Sequence, residues 1–166
     1  MAISGQGLVD HIAEHEILGV DSSLSYVKVS GDILWVRDNT RNKWLSADRF
    51  YIFGGRAGRI SNAYLKTVGG LATSASSYRI ARDATITGIA VQTRNPETWT
   101  LRVRKNGTLV EVAQLYMNGV NGNHNMAVDG DLNEGDTVQL YASTTAFSGI
   151  KDPLVWIEIA WRNDSL

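Results

Sequence analysis

Apolar residues recur at every second position over the clearest stretches of this chain. Val155, Ile157, Ile159 and Trp161 alternate with Trp156, Glu158, Ala160 and Arg162, and Trp99, Leu101 and Val103 alternate with Thr100, Arg102 and Arg104. A period of two sends one set to a buried sheet face and the other to solvent, so both stretches predict half-buried strands. Trp99 and Trp161 read as core, and Trp156 points the other way. The same reading places strands at 26–29, 33–36, 43–46, 50–53, 84–93, 98–104, 109–115, 126–129, 137–142 and 154–162, with Gly/Asn/Asp/Ser clusters between them. Segments 43–46 and 50–53 read as a strand pair. Asn106-Gly107 is the strongest hairpin signal, because both central positions of a two-residue turn need positive φ. Ser30-Gly31-Asp32 and the run from Asp38 to Asn42 read as further turns.

Only one stretch has a helical period: Val9, Ile12, Ala13 and Ile17, closed by Gly19. At about two to three turns it is marginal alone, so it is expected to gain order by packing on a neighbour or another molecule. The run Gly54-Gly55-Arg56-Ala57-Gly58-Arg59 breaks the strand pattern and reads as a flexible connector, and a loop is expected around Gly69-Gly70 through Ser76-Ser77. Many short strands, no interleaved helices and no internal repeat leave an antiparallel sandwich or barrel. Three parts are expected: an N-terminal attachment segment at 1–23, a small β-module at 24–66 and a third part at 67–166.

Composition narrows the function classes. Val, Ile and Thr, at 14, 12 and 12 residues, support the strand reading. Sixteen basic against seventeen acidic side chains, with no run of either sign, argue against a general phosphate-binding surface and so against nucleic acid. The absence of cysteine removes disulfides, thiolate zinc sites and a Cys nucleophile. No apolar run of about 18 residues suggests a membrane span, and Met1 to Gly7 lack the features of a secretion signal.

Candidate chemistry is sparse. His11-Ile12-Ala13-Glu14-His15 spells the H-x-x-E-H order of one zinc peptidase class. A catalytic zinc needs a third ligand inside a scaffold, and the remaining histidine, His124, lies in a Gly/Asn loop. The expectation is therefore two exposed histidines on a short helix, with no metal. Asp129 to Asp136 resembles the start of a calcium loop, but Glu134 stands where glycine is needed and Leu140 where the last acid belongs. A solvated turn entering a strand is expected there. The Gly54 to Arg59 run has neither phosphate-loop nor dinucleotide spacing. No catalytic set and no cofactor site is expected. Candidate binding residues are Arg56 and Arg59, which could neutralise a partner's carboxylates, and Trp156, because a large outward aromatic marks a subunit interface or ligand surface.

Leu132-Asn133-Glu134-Gly135-Asp136-Thr137-Val138-Gln139-Leu140, a Gly-Asp turn feeding an alternating strand, resembles the equivalent strand of the compact jelly rolls typified by tumour necrosis factor and the complement globular head. The flanking order, from Ala84-Thr85-Ile86 through the Trp99 to Leu109 hairpin to the aromatic final strand, is similar too, and the likeness covers about 75–162. Asp32 to Ser46 is similar to short β-modules in tail-fibre, head-fibre and other appendage proteins of bacteriophage virions. These resemblances imply a jelly-roll sandwich behind a short helical attachment segment and a β-module. They imply a non-enzymatic virion protein, a trimeric fibre, knob or capsid-decorating protein. Its expected partners are two further copies of itself, other virion proteins through the N-terminal segment, and a host-surface glycan or protein, with no nucleic acid and no membrane insertion. The alternative is a carbohydrate-binding module that uses exposed aromatic residues.

Overall fold

The alternating pattern resolves into thirteen strands among the described residues, 27–67, 77–107 and 111–166, of a computed structural model. They are β1 (Val27–Ser30), β2 (Ile33–Asp38), β3 (Lys43–Gly55), β4 (Arg59–Ile60), β5 (Ala63–Tyr64), β6 (Lys66–Thr67), β7 (Tyr78–Arg79), β8 (Ala84–Lys105), β9 (Glu111–Asn125), β10 (Gly130–Leu132), β11 (Thr137–Ser143), β12 (Ile150–Lys151) and β13 (Leu154–Arg162). No helix occurs among the described residues, and the helical segment expected at 9–18, like all of 1–23, lies outside them. None of the described residues forms a helix long and apolar enough to cross a membrane.

Every pairing is antiparallel, and one strand organises the sheet. β8 runs for 22 residues. Its first half pairs with β13 on one side, and with β10 and the end of β9 on the other. Its second half pairs with β11 on one side and with the start of β9 on the other. Between the halves the register against β9 jumps from Gln92↔Gly122 to Glu97↔Val120, so 93–96 oppose Asn121 alone. This bulge holds Pro96, which has no N–H to give a ladder, and Thr93 Oγ1 bonds the Asn95 carbonyl at 2.8 Å. The sheet curls there. Ile86 and Ile89 from the first half then share one core with Leu101, Val103 and Leu140 from the second, joined by Ile52, Trp99, Leu132 and Ile157.

Several expectations change. Segments 43–46 and 50–53 belong to one strand, β3, which pairs with β2 from Lys43 to Ser46 and with β13 at Leu45 and again from Arg49 onward. No turn is needed at 47–48, because a bulge opposite Trp161 takes up the extra residues and Ser46 Oγ accepts the Trp161 N–H at 2.9 Å. Because β3 is shared, β1, β2 and β3, from the stretch expected as a separate β-module, lie in the same sheet as β13 and β8. The strands expected at 84–93 and 98–104 are likewise the two halves of β8. Residues 126–129 form no strand: the carbonyls of Met126 and Val128 are taken by Arg41, and pairing with β8 runs through 122–125 instead.

The turns follow their residues more closely. Gly31 and Asp32 sit at φ 59° and 63° between the paired Ser30 and Ile33. Asn106 and Gly107 also have positive φ, 57° and 65°, at the end of the β8–β9 hairpin. Glu111 faces Arg104, so the loop is longer than the two residues expected.

Candidate functional site

The outer face of β3, β13 and the first half of β8 is where the outward positions of three alternating strands meet. Phe53 pairs with Trp156, which pairs with Ala90, which pairs with His124. One step along lie Tyr51, Glu158 and Gly88. The face is apolar and open: Tyr51 is 46 % exposed, Phe53 50 %, Met126 46 % and Leu154 59 %, with Trp156 half-buried among them. Tyr51 meets the edge of Trp156 with ring centroids 5.7 Å apart. Small residues make its floor, and Met126 lies over Gly88, where an added Cβ would come within 2.6 Å of its methyl group. Leu154, Trp156, Met126 and His124 border a hollow of about 760 Å³. Glu158 is the one acid on this face among the described residues. It accepts from Thr87 Oγ1 at 2.7 Å and from Tyr51 Oη at 3.3 Å, and Arg49 stands 3.7 Å away.

Trp156 is thus outward, as its strand period requires, and it has company that single-strand alternation could not reveal. Trp99 is buried, 1 % exposed, whereas Trp161 is half-buried and stacks on Phe50 with centroids 4.5 Å apart. Arg56 and Arg59 do not reach Trp156. They lie at the far end of β3, on a segment that is held in place, contrary to the flexible connector expected. Arg56 N–H donates to the Pro153 carbonyl at 3.0 Å, Gly58 N–H donates to Asp152 Oδ1 at 2.5 Å, and Arg59 pairs with Lys151.

The acid-rich turn at 129–136 is neutralised by the protein's own groups. Asp131 accepts from Lys43 at 2.7 Å and from Thr85 at 2.8 Å, and Arg162 stands 2.9 Å away. Burial would raise the Asp131 carboxyl, but these bonds and the two cations outweigh it and hold the group below the usual carboxylate range. Asp136 is also held low: burial is opposed by bonds from Asn133 N–H, Asn106 and Lys105. The turn that results has Gly135 at φ 87°. Among the described residues no group of His, Asp or Glu is arranged to hold a metal, and His11, Glu14 and His15 lie outside them.

A buried arginine was not foreseen. Arg104 is 9 % exposed, its guanidinium lies 3.6 Å above the Tyr141 ring, and its Nε has no hydrogen-bond partner. The alternation of 98–104 puts it on the solvated face. Tyr64, brought in by β5, helps to cover it.

No family model matches the chain, and no curated protein matches it by sequence. Among solved structures, it is similar to a chain in the structure of the Gx strain of infectious bursal disease virus, at 12% identity and a TM-score of 0.29. The alignment covers 90% of this chain and 42% of that one, so this chain spans less than half the length of its match.

Proposed function

We infer that this is a non-enzymatic structural protein of a virus particle, a bacteriophage fibre, knob or capsid-decorating protein that works as a homotrimer. The observation that carries the reading is the outer face of β3 and β13. Tyr51, Phe53, Leu154, Trp156 and Met126 form an exposed apolar surface on the outer face of the sheet, and a patch of that kind marks an interface. Two layers support a jelly roll: β3, β13, the first half of β8 and β10 in one, and β5, β11, the second half of β8 and β9 in the other. The trimeric state and the phage setting come from the resemblance of 132–140 and 32–46. Closed rotational symmetry would cover the aromatic face in every copy without leaving a propagating contact. In this reading residues 1–23 dock on the particle and the sandwich points outward.

Light scattering on the full chain is expected to give about three times the 18.2 kDa of one copy. Phe53→Arg with Trp156→Glu is expected to give a folded monomer. A wild-type chain that stays monomeric at high micromolar concentration overturns the assembly. Particles assembled with a chain lacking residues 1–20 should not incorporate it, and wild-type occupancy of the cut chain overturns the attachment role.

A further inference from the structure

At the end of the strands where β3 finishes and β13 begins, five cations gather: Arg56, Arg59, Lys66, Arg94 and Lys151. Two carboxylates accompany them, and both are committed. Glu97 accepts the Lys151 main-chain N–H with its two oxygens at 3.0 and 2.8 Å. Asp152 accepts the Gly58 N–H and pairs with Arg94 at 3.5 Å. Arg56, Arg59, Lys66 and Lys151 have no carboxylate partner among the described residues; elsewhere Arg41, Lys43, Arg49, Arg102, Lys105 and Arg162 are ion-paired, and the unpaired Lys28, Arg37, Arg79, Arg82 and Arg104 do not line this cleft.

The placement of two of the four is unfavourable in the isolated chain. Arg59 and Lys151 stand directly opposite each other in the β4–β12 pair, and like charges facing across strands destabilise a sheet. An anion between them turns that cost into attraction. Arg56 and Lys66 flank a cleft of about 580 Å³ whose other walls are Gly55, Ala57, Asp152, Pro153 and Leu154, the Asp152 carboxylate being held by the Gly58 N–H and Arg94. The cleft is preformed, since main-chain bonds from Arg56 to Pro153 (3.0 Å) and from Asp152 to Gly58 (2.9 Å) fix its two sides. Beyond the β4–β12 pair, the Phe147 ring is fully exposed, and the carbonyl of Ser148, the next residue, accepts from Arg59 Nη1. An open ring beside a cation suits a sugar that carries an acid group: its C–H face meets the negative face of the ring and its carboxylate meets the guanidinium.

We propose that this end of the molecule binds an acidic polysaccharide, a sugar chain bearing carboxylates. Arg56 and Lys66 act in the cleft, Arg59 and Lys151 beside it, and Phe147 is the stacking ring. Only Leu154 borders both this cleft and the aromatic face, so the site and the trimer can be tested apart.

The test is calorimetric titration of the full chain with polygalacturonate at low and raised salt. Neutral dextran, a single-stranded DNA oligonucleotide of equal charge and phosphatidylglycerol vesicles are run alongside. Saturable binding of polygalacturonate that weakens with salt is expected, with none to dextran. Arg59→Ser with Lys151→Ser should weaken it about tenfold or more, and Phe147→Ser should weaken it at unchanged salt dependence. Arg79→Ser with Arg82→Ser removes the same charge from exposed positions at the other end and should leave it within about twofold. Equal losses in the two double variants would show a bulk charge effect and overturn the proposal. So would absent binding, or tighter binding of the oligonucleotide or the vesicles. Thermal melting gives a second reading: the Lys151→Ser chain should melt at or above wild type, and a lower melting point assigns Lys151 to packing and overturns its role.

Discussion

The guanidinium of Arg41 donates to the main-chain carbonyl of Thr87 at 2.9 Å, across 46 residues of sequence. The same group reaches the carbonyls of Met126 and Val128 at 2.7 and 2.6 Å and pairs with Asp38 at 2.5 Å, and its side chain is 10% exposed. One side chain in the β2–β3 loop thus fills the gap on β8 between its pairing with β10 at Ile86 and with β9 at Ile89, and fixes the crossing from β9 to β10.

Removing it should be costly, because three carbonyls and a carboxylate lose a charged donor together. Arg41→Met is expected to lower stability by about 3 kcal/mol in urea unfolding. Arg41→Lys should recover less than half, since an ammonium cannot span acceptors that a planar fork reaches at once. A loss within error for Arg41→Met would show that water replaces the guanidinium at no cost.

Two glycines with similar φ should differ in what alanine costs them. Gly31, at φ 59°, has open space around the position of a Cβ, so Gly31→Ala meets only the left-handed backbone penalty, about 1 kcal/mol. At Gly149, φ 69°, an added Cβ would come within 2.7 Å of the Ile60 carbonyl oxygen. That obstacle is main chain in the β4–β12 pair, so Gly149→Ala should cost about 1 kcal/mol or more beyond Gly31→Ala. Equal melting temperatures for the two variants would refute the difference.

Acid should unfold the protein first at the 129–136 turn. The Asp131, Asp136 and Asp38 carboxyls are all held below their ordinary range: burial opposes the charged form at each, but is outweighed by Lys43, Thr85 and Arg162 at Asp131, by Asn133, Asn106 and Lys105 at Asp136, and by Arg41 at Asp38. A group with a depressed folded pKa stabilises the fold above its unfolded value and stops doing so as pH falls through the folded one. Stability should therefore be level near neutrality and fall below about pH 4. Asp131→Asn should lower the melting temperature at pH 7, and the gap from wild type should narrow in acid. A gap independent of pH would deny the Asp131 charge its role.

Arg104 should tolerate loss of its charge. Its Nε is unpartnered, its Nη1 meets Tyr64 Oη at only 3.3 Å, and no carboxylate pairs with it among the described residues. Replacing a buried charge by an apolar chain of similar reach is often neutral, so Arg104→Met should change stability by less than about 1 kcal/mol. A loss of several times that would show that the stack on Tyr141 is a major support.

The parts of this fold that could be read in the sequence are those where one residue decides one local geometry. The Gly31-Asp32 and Asn106-Gly107 turns announce themselves by their need for positive φ, and β13 announces its two faces by alternation. The continuous strands did not, for a common reason. Asp48-Arg49 and Arg94-Asn95-Pro96 look like turns, yet bulges absorb them, and a bulge depends on what the partner strand places opposite. Three of the Arg41 acceptors are main-chain carbonyls, which no residue pattern marks. Trp156 could be placed outward from its own strand, but Phe53 and Tyr51 become its neighbours only through the β3–β13 register. Likewise Arg59 was conspicuous alone, and Lys151 gains meaning only as its cross-strand partner.

Because β8 runs through both halves of the curled sheet, neither half has a boundary at which it could open by itself. Separating β13 from β8 strips the first half of that strand, and the loss passes along the same backbone to the half that carries β11 and β9. Amide exchange should register this as a single slow class: protons of Ile89 and Leu101, buried on the two halves of β8, should exchange at one shared free energy, that of global unfolding.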